Sequence, residues 1–139
     1  MKKIWITGAS SGIGKALALK FAKEDWQVAA SARREQLLNE ISESNKNIHS
    51  FPLDVTDSEK CKEVFNQIKE KFQEIDISIF CTGMHDPKSE KKLNLESINK
   101  IMNVNFFGTI NSVNAVYDYY REKKYGHISI VSSVAGYRG

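Results

Sequence analysis

Ile4-Trp5-Ile6-Thr7-Gly8-Ala9-Ser10-Ser11-Gly12-Ile13-Gly14 decides the fold. A short apolar run enters a turn of glycines and serines, and a segment with Ile13, Leu17 and Phe21 at helical spacing leaves it. Strand, glycine turn and helix in that order open a β-α-β unit. Gly8 permits the tight turn, Gly12 lets backbone approach a ligand closely, and Gly14 lets the helix pack on the strand. The start of the helix offers unpaired N–H groups and the positive end of a dipole, which suits the pyrophosphate of a dinucleotide. Thr7 at the strand exit, the hydroxyls of Ser10 and Ser11, and Ile13 in the first helical turn complete the expected cradle.

On three glycines alone, a Gly/Ser-rich βα loop without a ligand reads equally well. The phosphate loop of a nucleotide hydrolase reads less well. Ala9 stands at its first glycine position, and Ala16 stands where a Ser/Thr hydroxyl must hold magnesium, so Lys15 is a solvated first-turn lysine.

Working outward, apolar runs at Ile4 to Thr7, Gln27 to Ala32, Ile48 to Leu53, Ile75 to Cys81 and His127 to Ser132 alternate with segments of helical period. This predicts an α/β, doubly wound parallel sheet of five strands joined by four crossovers. Glu59 to Phe72 carries Cys61, Val64, Phe65, Ile68 and Phe72 on one face, and Thr56 to Glu59 reads as a capping box. Ser97 to Tyr120 reads as one long helix packing through Ile98, Ile101, Met102, Phe106, Ile110, Val113, Tyr117 and Tyr120, with Asn105 beside the stripe. Asp86-Pro87-Lys88-Ser89-Glu90-Lys91-Lys92 reads as an exposed loop.

The composition excludes several classes. At 139 residues, 41% hydrophobic and 27% charged, residues 1–139 suit one soluble globular domain and not a disordered or fibrous chain. A net charge of +3, shared between the two halves, reserves no face for nucleic acid. Cys61 and Cys81 lie far apart and outside any His/Cys cluster, so no metal site and no disulfide framework is expected, and a reducing cytoplasm fits. The N-terminus lacks the apolar core of a signal peptide, and no run approaches the ~20 apolar residues of a membrane span.

The end of the second strand addresses which dinucleotide. An acidic residue about 20 positions after the glycine turn would bind the ribose 2′-hydroxyl of NAD. This chain has instead Ser31-Ala32-Arg33-Arg34, where two guanidinium groups suit the 2′-phosphate of NADP. Taken alone, the arginines would begin a surface helix and pair with Glu35 or Glu40. After the glycine turn, the reading favours NADP over NAD, with Ser31, Arg33 and Arg34 as contacts.

Thr7-Gly8-Ala9-Ser10-Ser11-Gly12-Ile13-Gly14 resembles the Thr-Gly-x-x-x-Gly-x-Gly signature of the short-chain dehydrogenase/reductase family. The resemblance implies a Rossmann-type fold with strand order 3-2-1-4-5. It also implies NAD(P)-dependent interconversion of a small-molecule carbonyl and an alcohol, and a homo-oligomer. It implies adenine contacts at Asp54 and Val55 closing the third strand. Phe80-Cys81-Thr82-Gly83 resembles the family's Asn-Asn-Ala-Gly segment with only Gly83 kept. Asn103-Val104-Asn105-Phe106-Phe107-Gly108 is similar to the segment that carries the catalytic asparagine, at Asn105. Ser132-Ser133-Val134-Ala135-Gly136 aligns the catalytic serine with Ser133.

The family's Tyr-x-x-x-Lys pair does not follow Ser133 within residues 1–139, and Tyr137 has no lysine four positions later. The expectation is therefore a Rossmann domain truncated after its fifth strand, catalytically incomplete, with that strand as an uncovered edge. The competing expectation is a non-catalytic dinucleotide-binding or regulatory chain that associates with a complete homologue.

Overall fold

The computed structural model describes residues 1–87 and 92–138. Five parallel strands, β1 (Lys3–Thr7), β2 (Gln27–Ser31), β3 (Ile48–Ser50), β4 (Ile77–Phe80) and β5 (His127–Ile130), lie in the order β3-β2-β1-β4-β5. Helices α1 (Gly12–Lys23) and α2 (Glu35–Ser44) cross on one face, and α3 (Ser58–Phe72) crosses on the other. A continuous helical rod then joins β4 to β5: α4 (Leu95–Met102), a π-helical turn (Asn103–Phe107) and α5 (Gly108–Lys123). The chain order reverses between β1 and β4, which opens a crevice above the C-terminal strand ends.

The strands carry apolar side chains on both faces because both faces are covered. Alternation divides β1, sending Ile4 and Ile6 to a core of Ile, Ala and Val beneath α1 and α2. Trp5 goes to the opposite core beneath α3 and α5, where its ring stacks on Phe65 at 5.5 Å and meets Phe80 edge-on at 5.5 Å. All three rings are fully buried, so truncating one to alanine should cost about 3–5 kcal/mol.

The architecture matches the expected order, and several local details differ. β3 as a regular strand ends at Ser50 instead of Leu53, although Phe51 and Leu53 still bond to the carbonyls of Ala30 and Ala32; Pro52 between them turns its N toward the free edge of the sheet, where no donor is needed. The cap of α3 is Asp57, whose carboxylate accepts from Lys60 N at 2.9 Å, while the Thr56 hydroxyl is taken by Asp54. Residues 88–91 of the expected polar loop lie outside the described residues.

Two helix faces also need correction. On α1, Leu17 and Phe21 of the expected face pack against the core beside the buried Gly14, Ala18 and Ala22, while Ile13 is 61% exposed. Along the rod the buried positions are Ser97, Val104, Gly108, Ser112 and Val116, whereas Met102, Phe106, Ile110 and Tyr117 of the expected stripe are exposed. Both helices approach the sheet through small residues, which bulky ones would hold away. In the rod, the π turn adds a residue to one turn and shifts the phase of everything after it. Tyr119 and Tyr120 do pack inward, with hydroxyls bonded to Ile75 and Ser78. No helix among the described residues is long and apolar enough to cross a membrane.

The small-residue face is testable at Gly108, where an added Cβ would stand 2.5 Å from Val55 Cγ2. Gly108→Ala should destabilise the fold by about 1–3 kcal/mol in urea unfolding, although alanine is the better helix former. Gly136→Ala, whose Cβ meets nothing within 4 Å, should leave the urea midpoint nearly unchanged.

Candidate functional site

The crevice holds a cavity of about 320 Å³ walled by the glycine turn, the residues after β2 and β3, and Cys81 to Gly83 after β4. The turn is built by close backbone contact. Gly8 takes φ +69°, and a Cβ there would meet the Cys81 carbonyl at 2.8 Å. A Cβ on Gly14 would stand 2.3 Å from Gly8 O, so only glycine lets α1 begin against the turn. Around Gly12 the space is open: a Cβ would meet nothing within 4 Å, and backbone faces the cavity there. Ser10, Ser11 and Ile13 line the same cavity.

Arg33 and Arg34 stand at its rim beyond β2. The Arg34 guanidinium reaches across and donates to Ser10 Oγ at 3.1 Å and Ser11 Oγ at 2.6 Å. Each hydroxyl accepts from the arginine and keeps its own O–H to donate, so the two segments form one wall of donors for an anion.

Ser31 and Thr7 are placed differently from the expectation. Ser31 is fully buried, and its Oγ accepts from Trp5 Nε1 at 2.9 Å in the core. Its parity on β2 is that of Ala29, so it supports the cleft from below, with its carbonyl accepting from Ala9 N at 3.0 Å. Thr7 is also buried, and its Oγ1 has no hydrogen-bond partner among the described residues. Neither lines the cavity, whereas Ala32, Leu53, Val104 and Val131 do. Val104 and Val131 immediately precede the quoted Asn105 and Ser132, and apolar character gave them no separate signal.

Asp54 and Val55 line the cavity where β3 leads into α3. Asp54 Oδ1 accepts from both the Thr56 amide, at 3.0 Å, and the Thr56 hydroxyl, at 2.8 Å. Val55 is buried against Gly108, and its carbonyl accepts from Asn111 Nδ2 at 2.9 Å.

A second cavity of about 800 Å³ adjoins the first along Cys81 to Gly83 and Val131, and brings Asn105, Ser133, Met84 and His85 around one space. Asn105 lies in the π turn, a distortion that often marks functional sites. Both ends of its amide bind Met84: Oδ1 accepts from Met84 N at 2.7 Å, and Nδ2 donates to Met84 O at 2.9 Å. That pair fixes the loop after β4. Ser133 Oγ accepts from Ala135 N at 3.1 Å, which leaves its O–H free to donate. Tyr137 is 92% exposed. Burial pushes the Cys81 thiol up to about 11, so at neutral pH it is protonated and a poor nucleophile.

Known proteins share this architecture. Dehydrogenase/reductase SDR family member 7 of Mus musculus is 32% identical over 141 residues, covering 96% of this chain and 42% of its own length. NADPH-dependent 1-acyldihydroxyacetone phosphate reductase of Schizosaccharomyces pombe is 33% identical over 139 residues, covering 98% of this chain and 46% of its own. The solved structure of ElxO with NADP bound superposes with a TM-score of 0.87 at 31% identity, covering 99% of this chain and 58% of that one. The chain thus spans about half the length of the relatives it matches. Residues 2–139 match the short chain dehydrogenase family, and with its glycine turn, strand order and cleft this chain belongs to that family.

Proposed function

We propose that this chain carries the NADP(H)-binding portion of an oxidoreductase that interconverts a carbonyl and a secondary alcohol. The observation that carries the reading is the Arg34 guanidinium joined to Ser10 and Ser11 at the cavity rim, with Arg33 beside it. A carboxylate at this place would repel a 2′-phosphate, and here the charge is reversed. A relative named NADPH-dependent and a neighbour solved with NADP support it.

When bound, the dinucleotide supplies or accepts a hydride, and the residues around it supply position and polarity. The open backbone at Gly12 and the N-terminus of α1 receive the pyrophosphate. Asp54 Oδ2, left by the Thr56 contacts at Oδ1, accepts the adenine amino group, and Val55 packs against the ring. Gly83 carries backbone past the nicotinamide end. Ser133 donates to the substrate oxygen and orients it. Asn105, with its amide bound to Met84, acts by holding the wall of the substrate space. No residue among those described is assigned as the proton donor, and the substrate lies in the second cavity beside Ser133.

NADPH should bind at least tenfold more tightly than NADH in a fluorescence titration, about 1.4 kcal/mol. Arg34→Ala should erase most of that preference while changing NADH affinity little. Equal affinities for the two dinucleotides in the unmodified chain would refute the assignment.

The raised thiol of Cys81 gives a pH test. Alkylation by iodoacetamide at pH 8 should run about a hundredfold slower than for a free cysteine and climb as pH rises toward 11. Because Cys81 lines the cleft, saturating NADPH should slow it further, as read by peptide mass mapping.

A further inference from the structure

The rod that runs behind both walls of the cleft carries a polar residue whose partners lie far away in the chain. Asn111, half-buried on α5, donates from Nδ2 to Val55 O at 2.9 Å and to Thr56 O at 3.4 Å. These carbonyls belong to the turn between β3 and α3, whose Asp54 and Val55 face the cavity. One helical turn earlier, the bare Cα of Gly108 admits the Val55 side chain. Asn105, earlier still, grips Met84 on the opposite wall. One helix therefore holds the loop after β3 through Asn111 and the loop after β4 through Asn105, and so sets the width of the space between them.

We propose that Asn111 is a positioning residue for the adenosine end of the dinucleotide. It lines no part of the cavity, and acts through Val55 and Thr56. Its amide holds their carbonyls down toward α5, so that Val55 stands at the depth where an adenine ring packs on it and Asp54 stays at the ring's edge. Without the donor, Thr56 O loses its bond to the helix, Val55 O keeps only the weak contact from the Cys61 thiol at 3.6 Å, and the turn relaxes toward water. Arg33 and Arg34 lie on another loop and keep their hold on a 2′-phosphate. Removing Asn111 should thus weaken all adenosine ligands by a common factor and leave the preference for the 2′-phosphate intact.

The inference rests on the NADP(H) reading, and the test separates the two. Calorimetry on the chain with adenosine 2′,5′-bisphosphate and with 5′-AMP compares the unmodified protein with Asn111→Asp, which keeps the shape and removes both N–H donors, and with Asn111→Ala. Asn111→Ala should bind either nucleotide about fivefold more weakly, the worth of one such hydrogen bond, and Asn111→Asp at least as weakly, because its carboxylate also repels the two carbonyls. The ratio of the two affinities should equal that of the unmodified chain. If the unmodified chain binds neither nucleotide, the cofactor reading itself fails. If that chain binds and a folded Asn111→Asp binds within twofold of it, the positioning role is overturned. A changed ratio, or loss of the helical circular dichroism spectrum in both variants, would overturn it as well, because either would show a general structural role.

Discussion

The approach of Gly14 to the carbonyl of Gly8 is the contact on which the rest of the cleft depends. With 2.3 Å between that oxygen and the place a Cβ would occupy, α1 begins directly against the turn that ends β1. Gly8 is in turn pressed on the backbone of Cys81 and Thr82 after β4. The turn after β1, the start of α1 and the loop after β4, more than 70 residues further along the chain, thus meet backbone to backbone, with no side chain between them. Their meeting point is where the strand order reverses, so the same packing that closes the core opens a crevice lined with amide groups. A larger residue at either glycine would part the helix from the sheet and spoil fold and site together.

Small residues extend this logic to the opposite face of the sheet. Gly108, Ser112 and Val116 bring α5 close enough for Asn111 to reach Val55, just as Ala18 and Ala22 continue the contact begun by Gly14. The π turn ahead of Gly108 supplies the phase that this needs. It places Asn105 against Met84 and leaves Phe106 and Ile110 beside the second cavity. Polarity is added last, at the rim, where Arg34, Ser10 and Ser11 join the first crossover to the second.

Much of this was legible in the sequence, and the failures have physical causes. The strand, turn and helix at the N-terminus are legible because each signal is local: a short apolar run, glycines at a turn, and a helical period. Ser31 is expected at the cofactor from its nearness to Arg33 along the chain, but strand parity turns its hydroxyl to Trp5 in the core. The stripe through Phe106 and Tyr117 follows the bulky side chains, whereas the rod meets the sheet through Val104, Gly108, Ser112 and Val116, so that only Val113 and Tyr120 of the stripe pack against the core. Asn111 carried no signal, since its meaning lies in carbonyls 55 and 56 positions away. Asp57 displaced Thr56 as the cap because Asp54 captures the threonine hydroxyl first.

The central claim is that one continuous dinucleotide site runs from Arg34 across the glycine turn to Gly83. Amide NMR spectra of the isotopically labelled chain during titration with NADPH test it most directly. The account predicts shifts concentrated at Gly12, Gly14, Arg34, Val55 and Gly83, with α2 beyond its first turn and the Tyr125 end of the sheet unmoved. Shifts that avoid the glycine turn, or a spectrum unaltered at saturating NADPH, would contradict it.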